Sequence, residues 1–583
     1  MLQIEKPTAS LRLLHWTKEL PKAGDADPLG LELRVSARLS NELLYCITSI
    51  TPRARYYAFF PWAFDDYNRH EQGTRHDRGR VQGVLVRERA LVLGSVLHHN
   101  GNACDGGSLG GSREAIDLAR TSKRTYDLSA WHHLDNTQGQ FGAAYKGSLV
   151  NLGLFKTDDE ETEGKSGDED QRDEVAPAVD VRELSPIGKR LADAFQRSVQ
   201  ETVYAKQSFT LKNTVPAKVL KDFGAKAGLC EIARPGAKDR SVLRDVFFAN
   251  DEKLKKGSHL RRRMSLLLLL ACVARARAAG VTLDQRSFSD ICYYGSVVTN
   301  EETLQARAIG LPAALSDIRQ RWQIFFTQAY LTVALHSFLV AVVRVTRDAR
   351  SVSREQLVRL LITPATETRF KQVSGKALPR DFLSMTPRES LDVCGITPGR
   401  LDMLPIDAPL AERQIEEALI TGEANQAAGV LGGAMLLFQT ILRYKKRTPD
   451  TFHHWHARHV RKEISDVALP GVIRFLETEY GETWLDQPNE KILDQVVWRF
   501  VVRQHEVMSL ERGGTAPLFR VDGTTLFWTD ADYTDPRAKN PRFGPALQVL
   551  TDLRLILEDE KGHRLTNDGE AWLSSELARS GVT

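Results

Sequence analysis

Six aromatic side chains within nine residues constrain what this chain can fold into more than any other stretch of it. Tyr56, Tyr57, Phe59, Phe60, Trp62 and Phe64 lie in ITPRARYYAFFPWAFDDY, residues 50–67. Thr51 followed by Pro52 is a helix-start signal, because threonine can accept from a first-turn amide and proline there lacks an amide that would go unbonded. A helix is therefore predicted from Pro52. The aromatics cover too much of its circumference for one apolar stripe, so it has to be buried on most sides. Pro61 is expected to bend or break it. Arg53 and Arg55 fall in the first turn, where the helix dipole disfavours cations unless an anion is also present. Two readings follow. The pair holds a phosphate-like anion, or it bonds carboxylates such as Glu42, Asp65 or Asp66 and stacks on the tyrosines, which is the commoner use of arginine beside aromatic rings.

At 583 residues the chain has room for three or four domains. Its net charge of +4 makes no whole-molecule case for nucleic acid, so any such face has to be local. Cys46, Cys104, Cys230, Cys272, Cys292 and Cys394 form no C-x-x-C pair, which argues against a zinc ribbon or disulfide framework and fits a reducing cytoplasm. The start, MLQIEKPTAS, has no apolar signal core. Residues 325–343 are almost long enough to span a bilayer but carry Gln328, Thr332, His336 and Ser337, so a buried core helix is expected and no membrane partner.

Two distant blocks match each other. In FGAAYKGSLVNLGLF, residues 141–155, a helix is predicted to end near Gly153; after a polar insertion comes LSPIGKRLADAF, residues 184–195. Near the other end, FGPALQVLTDLRLIL (543–557) is followed by EDEKGHR and LTNDGEAWL (565–573). Leu149, Leu152 and Leu154 correspond to Leu550, Leu553 and Leu555, while Leu184, Ser185, Gly188 and Leu191 correspond to Leu565, Thr566, Gly569 and Trp572. Helix, short hairpin, then a capped helix is the order of a winged helix, with the leucines plugging its small core. In the first copy the wing position holds DDEETEGKSGDEDQRDE, residues 158–174, a composition expected to be disordered and to repel a DNA backbone.

Lys253, Lys255, Lys256, Arg261, Arg262 and Arg263 form the strongest basic cluster, just ahead of an apolar helix; a solvated flank and a nucleic-acid patch both account for it. His453, His454, His456 and His459 could share helical faces, yet no carboxylate or cysteine nearby completes a metal site, and a basic surface helix is expected. In APLFRVDGTTLFWTD, Asp522-Gly523 is a hairpin turn between apolar runs. The glycine-rich GNACDGGSLGGS lacks the lysine of a P-loop, and no nucleophile elbow, Walker or H-E-x-x-H pattern is present, so no catalytic residue and no cofactor is assigned.

The order D-P-L-G-L, then T-x-R-A-R-Y-Y-x-F-x-P-W (Thr51, Arg53, Ala54, Arg55, Tyr56, Tyr57, Phe59, Pro61, Trp62), then G-x-L-G-G-S, resembles uncharacterised bacterial families of unknown function found in anti-phage defence and mobile-element islands. The resemblance implies a subunit of a multi-protein system, often beside an ATPase or nuclease, and carries over no catalytic residues. The expected fold is mainly α with small β-hairpins and multidomain, with winged-helix units flanking a central helical domain. The divisions are 1–135 (helical, with the aromatic element), 136–200 (winged-helix-like), 201–450 (central helical) and 451–583 (helical segment, hairpin and C-terminal winged helix). The functional expectation is a non-enzymatic, DNA-associated defence subunit in the cytoplasm, partnered by other protein subunits and double-stranded DNA. The alternatives are a kleisin-like adaptor of an ATPase complex, or an unrecognised nuclease. The candidate anion or nucleic-acid contacts are Arg53, Arg55, Lys253, Lys255, Lys256, Arg261, Arg262 and Arg263.

Overall fold

The computed structural model describes residues 27–70, 77–102, 110–129, 138–156, 183–207, 209–251, 254, 257–396, 405–420, 429–459, 466–511, 517–531, 533 and 542–579. The acidic run 158–174, most of the glycine-rich loop, and Lys253, Lys255 and Lys256 lie outside them. The fold is mainly helical with small antiparallel sheets. The chain forms two compact units. One comprises 1–39, 300–306 and 323–540; the other comprises 40–299, 307–322 and 541–583.

The second unit is built around the aromatic helix, Tyr56–His70, whose tyrosines, phenylalanines and tryptophan are all but inaccessible to solvent. Tyr56 and Phe60 stack with centroids 5.2 Å apart, Phe59 and Trp62 both meet Phe195, Phe64 meets Phe155, and Tyr57 meets Phe247. The helix begins four residues later than the Thr-Pro signal implies, because Thr51 Oγ1 accepts from the Thr48 amide at 2.9 Å and so closes a turn instead of capping a helix. Pro61 does not break it. One interior proline costs about 3 kcal/mol, and burying each large aromatic returns roughly 1.5–3 kcal/mol, so six of them outweigh it.

Both blocks that match in sequence fold alike within this unit. A helical segment ends at residue 151 in the first and at Asp552 in the second, and the next turn places Gly153 (φ +70°) and Arg554 (φ +57°) in the left-handed region. Ser185 Oγ then donates to the Gly153 carbonyl at 2.6 Å and accepts from the Gly188 amide at 3.1 Å. Thr566 Oγ1 does the same with the Arg554 carbonyl at 2.9 Å and the Gly569 amide at 2.9 Å. The second copy carries a complete hairpin, Ile556–Asp559 with Gly562–Leu565; in the first, the described residues show a bridge between Phe155 and Leu184. The following helices, Pro186–Val199 and Asn567–Arg579, sit directly on the preceding turn. A Cβ on Gly188 would lie 2.0 Å from the Leu154 carbonyl oxygen, and one on Gly569 would lie 1.9 Å from that of Leu555. Glycine is therefore required for close approach at both places.

The other unit has its core along the helix Ser316–Ala349, from residue 323 onward, and the helix Gly429–Arg447. By length and composition the long helix could cross a membrane, but 78% of its most apolar window is buried within the protein. Its polar groups have internal uses. Gln328 Oε1 accepts from the Leu469 amide at 2.9 Å, and the His336 ring meets the Tyr533 hydroxyl at 2.6 Å. The predicted Asp522-Gly523 hairpin forms, Phe519–Asp522 with Thr525–Trp528, and it lies in this unit, apart from the C-terminal module. Its second strand also pairs with Ser351–Ser353, a partner too short and too distant to read from the sequence.

Replacing Gly569 by alanine drives a methyl group into the Leu555 carbonyl. The expected loss is about 1–3 kcal/mol, the range for overpacking a tight site, read as a lowered denaturation midpoint with an unchanged m-value.

Candidate functional site

Arg53 and Arg55 are buried, and each is bound to a carboxylate. Arg53 Nε donates to Asp552 Oδ2 at 3.0 Å, and the same oxygen accepts from the Ala54 amide at 2.9 Å. Arg55 reaches Asp239 through Nε at 2.9 Å and Nη2 at 3.3 Å, donates through Nη1 to the Gly228 carbonyl at 2.6 Å, and lies over the Phe195 ring. The carboxylates nearest in sequence serve other cations. Glu42 pairs with Arg261, Asp65 with Lys189 and Arg69, and Asp66 with Arg87. The ion-pair alternative thus describes these arginines, with partners 184 and 499 residues away in sequence. Desolvating a charge is costly enough that such pairs add little net stability, but removing one partner strands the other.

The described arginines of the basic cluster are likewise engaged. Arg262 is fully buried and donates to the carbonyls of Phe247 at 3.0 Å, Val246 at 2.8 Å and Tyr45 at 3.2 Å, while Arg263 pairs with Glu576 at 3.0 Å. They hold the helix Gly257–Ala278 in place, and none of Arg261, Arg262 and Arg263 is left as a bare cation. In the histidine run, His453 stacks on Tyr444, and the buried His456 contacts the Tyr444 hydroxyl through Nδ1 at 3.0 Å; the side chain of His459 is not described.

Exposed positive charge gathers elsewhere in the unit of the aromatic helix, on two elements that also carry the exposed carboxylates of Asp127 and Asp222. The strand Thr125–Asp127 pairs antiparallel with Thr214–Pro216, and the Ala217 amide donates to the Arg124 carbonyl at 2.9 Å. That register brings Lys123 and Arg124 beside the start of the helix Ala217–Ala227, which carries Lys218, Lys221 and Lys226, and leaves Lys212 at the other end of the ribbon. All six are exposed, and among the described residues none has a carboxylate at ion-pair distance; Lys212 lies over Phe209, and Lys221 donates to Asn100 at 3.1 Å. Sequence reading missed this face because its two halves are about ninety residues apart, joined only by a three-residue ribbon.

Behind it the helices Asp77–His98 and Ala217–Ala227 cross glycine to glycine. A Cβ on Gly224 would lie 2.0 Å from the Gly94 carbonyl oxygen. The crossing leaves His98 and His99, at the end of one helix, beside Cys230 and Glu231, in the short 3-10 turn that follows the other. His99 Nε2 is 3.2 Å from Cys230 Sγ, His98 Nε2 is 3.5 Å from Glu231 Oε1, and Arg234 holds the other Glu231 oxygen at 2.6 Å. Burial lowers the basicity of His98, against the pull of Glu231. By contrast, Cys46 and Cys394 are sealed inside, and burial pushes both thiols up to about 12 against the pull of Arg262 on the first and Gln439 on the second, which leaves them inert near neutral pH.

Arg53→Gln or Asp552→Asn is expected to cost about 3–5 kcal/mol, the scale for breaking a buried pair, with a matching fall in thermal midpoint. A midpoint close to that of the parent would instead support a ligand-binding role for Arg53. No family model matches this chain, and no characterised protein or solved structure matches it either.

Proposed function

We infer that this protein is a non-enzymatic, DNA-associated subunit of a multi-protein bacterial defence system, and that the two helix–turn–helix modules are winged-helix units. The observation that carries the DNA half of this reading is the face formed by Lys123, Arg124, Lys212, Lys218, Lys221 and Lys226, exposed and without carboxylate partners among the described residues. Lysines with no ion-pair partner among the described residues, on a helix and an adjoining ribbon, suit a phosphate backbone: they supply point charges that release counterions on binding, without reading sequence. The near-neutral whole chain is no obstacle, because the charge is local. Membership of a defence complex rests on the resemblance of the aromatic element.

A protein–protein adaptor is the second reading, and a specific observation favours it. The arginines most conspicuous in the sequence, Arg53, Arg55, Arg261, Arg262 and Arg263, are engaged inside the unit, so the fold uses them for its own cohesion. In that case the lysine face docks an acidic partner.

The two readings part on salt and on ligand. Duplex DNA of arbitrary sequence is expected to bind with an affinity that falls steeply with ionic strength. The triple variant Lys218→Glu, Lys221→Glu, Lys226→Glu should weaken it at least tenfold and flatten the log–log salt slope by roughly 0.9 for every phosphate no longer neutralised, with the thermal midpoint unchanged. A flat response of the parent protein to salt, or full binding by the variant, overturns the DNA reading.

A further inference from the structure

We propose that His98, His99, Cys230 and Glu231 form a binding site for a divalent transition metal of the zinc class. The observation is geometric and independent of any role in DNA binding. One ligand atom from each of His98, His99 and Glu231 lies within 4.8 Å of the others; Cys230 Sγ is outside that triad but borders it, 3.2 Å from His99 Nε2 and 3.6 Å from Glu231 Oε1, and has to close on the triad to serve as the fourth donor. In a tetrahedral zinc site, metal–sulfur and metal–nitrogen bonds of about 2.3 and 2.0 Å put neighbouring donors about 3.5 Å apart. Three of the six donor pairs, at 3.2, 3.5 and 3.6 Å, surround that value. Two imidazoles, a thiol and a carboxylate form a borderline donor set, which selects zinc, or cobalt as its spectroscopic stand-in, over magnesium or calcium.

The supporting structure is fixed in advance. Immediately after His98 and His99 the chain turns back, with Asn100 at φ +55° and Gly101 at φ +87°, and the Gly101 amide donates to the Val96 carbonyl at 2.9 Å. Across from it, the Glu231 amide donates to the Gly228 carbonyl at 3.0 Å, and Gly228 leaves room for Ser95, which a Cβ there would approach to 3.3 Å. Arg234 orients the Glu231 carboxylate so that Oε1 faces the histidines. Glu231 is buried while His98 remains one-fifth exposed, so an ion has both an anionic floor and a way in. The metal would tie the end of the helix Asp77–His98 to the turn that follows Ala217–Ala227, fastening two elements that otherwise meet at glycines.

The test uses the full chain, stripped with a chelator and titrated with Co2+ alone. One ion per chain is expected, with the intense visible bands of four-coordinate cobalt and a near-ultraviolet thiolate charge-transfer band. Cys230→Ser should abolish the charge-transfer band, and Glu231→Gln should weaken binding by more than about tenfold, the lower end of what even outer-shell partners cost. Titration with Zn2+ alone provides a check that needs no variant: it should slow alkylation of Cys230 in the native protein, mapped peptide by peptide. No stoichiometric cobalt uptake, a spectrum and affinity unchanged in both variants, or alkylation of Cys230 that ignores Zn2+ would each overturn the proposal; in those cases the four side chains form a hydrogen-bonded and ionic brace.

Discussion

The unit that contains the aromatic helix depends on two buried arginine–carboxylate pairs at that helix's start. Arg53 with Asp552 and Arg55 with Asp239 tie a single turn of chain to segments far along the sequence. Alone, either cation would be ruinously placed, desolvated among aromatic rings at the positive end of a helix. Paired, each fixes a position that hydrophobic packing leaves loose: Arg55 grips Asp239 through two nitrogens, and Arg53 shares Asp552 Oδ2 with the Ala54 amide, whereas rings can slide. Asp552 also accepts from the Ala54 amide, so the last residue of one module's first helix caps the start of another element.

Close backbone approach is the second constraint. Gly188 and Gly569 let a helix rest on the carbonyl of the preceding turn, and Gly94 with Gly224 let two long helices cross in contact. Each crossing sets the register of side chains further along. The lysines of Ala217–Ala227 then face outward while Cys230 and Glu231 arrive beside His98 and His99. The basic face and the candidate metal site are consequences of the same helix crossing, seen from its two ends.

Much of the fold was legible where local chemistry decides it. The aromatic run signalled a helix buried on most sides, the L-[ST]-x-x-G pattern signalled a capped helix, and Asp522-Gly523 signalled a hairpin. The misreadings share one cause. Thr51 looked like a cap and closed a turn instead, and Glu42, Asp65 and Asp66 looked like partners for Arg53 and Arg55 and serve Arg261, Lys189 and Arg87. Proximity in sequence ranked those partners, whereas burial selected others. The candidate site at His98, His99, Cys230 and Glu231 escaped notice for the same reason, as His99 and Cys230 are 131 residues apart.

By itself, then, the sequence determined which segments are helices, where the glycines must sit and that a module is repeated, because those follow from backbone sterics and apolar spacing within a few turns of chain. Which arginines are structural and which lysines remain available, and whether two histidines meet a cysteine and a glutamate, was decided only in three dimensions. Those outcomes depend on desolvation and on pairing between distant segments, and neither quantity exists until the chain has closed on itself.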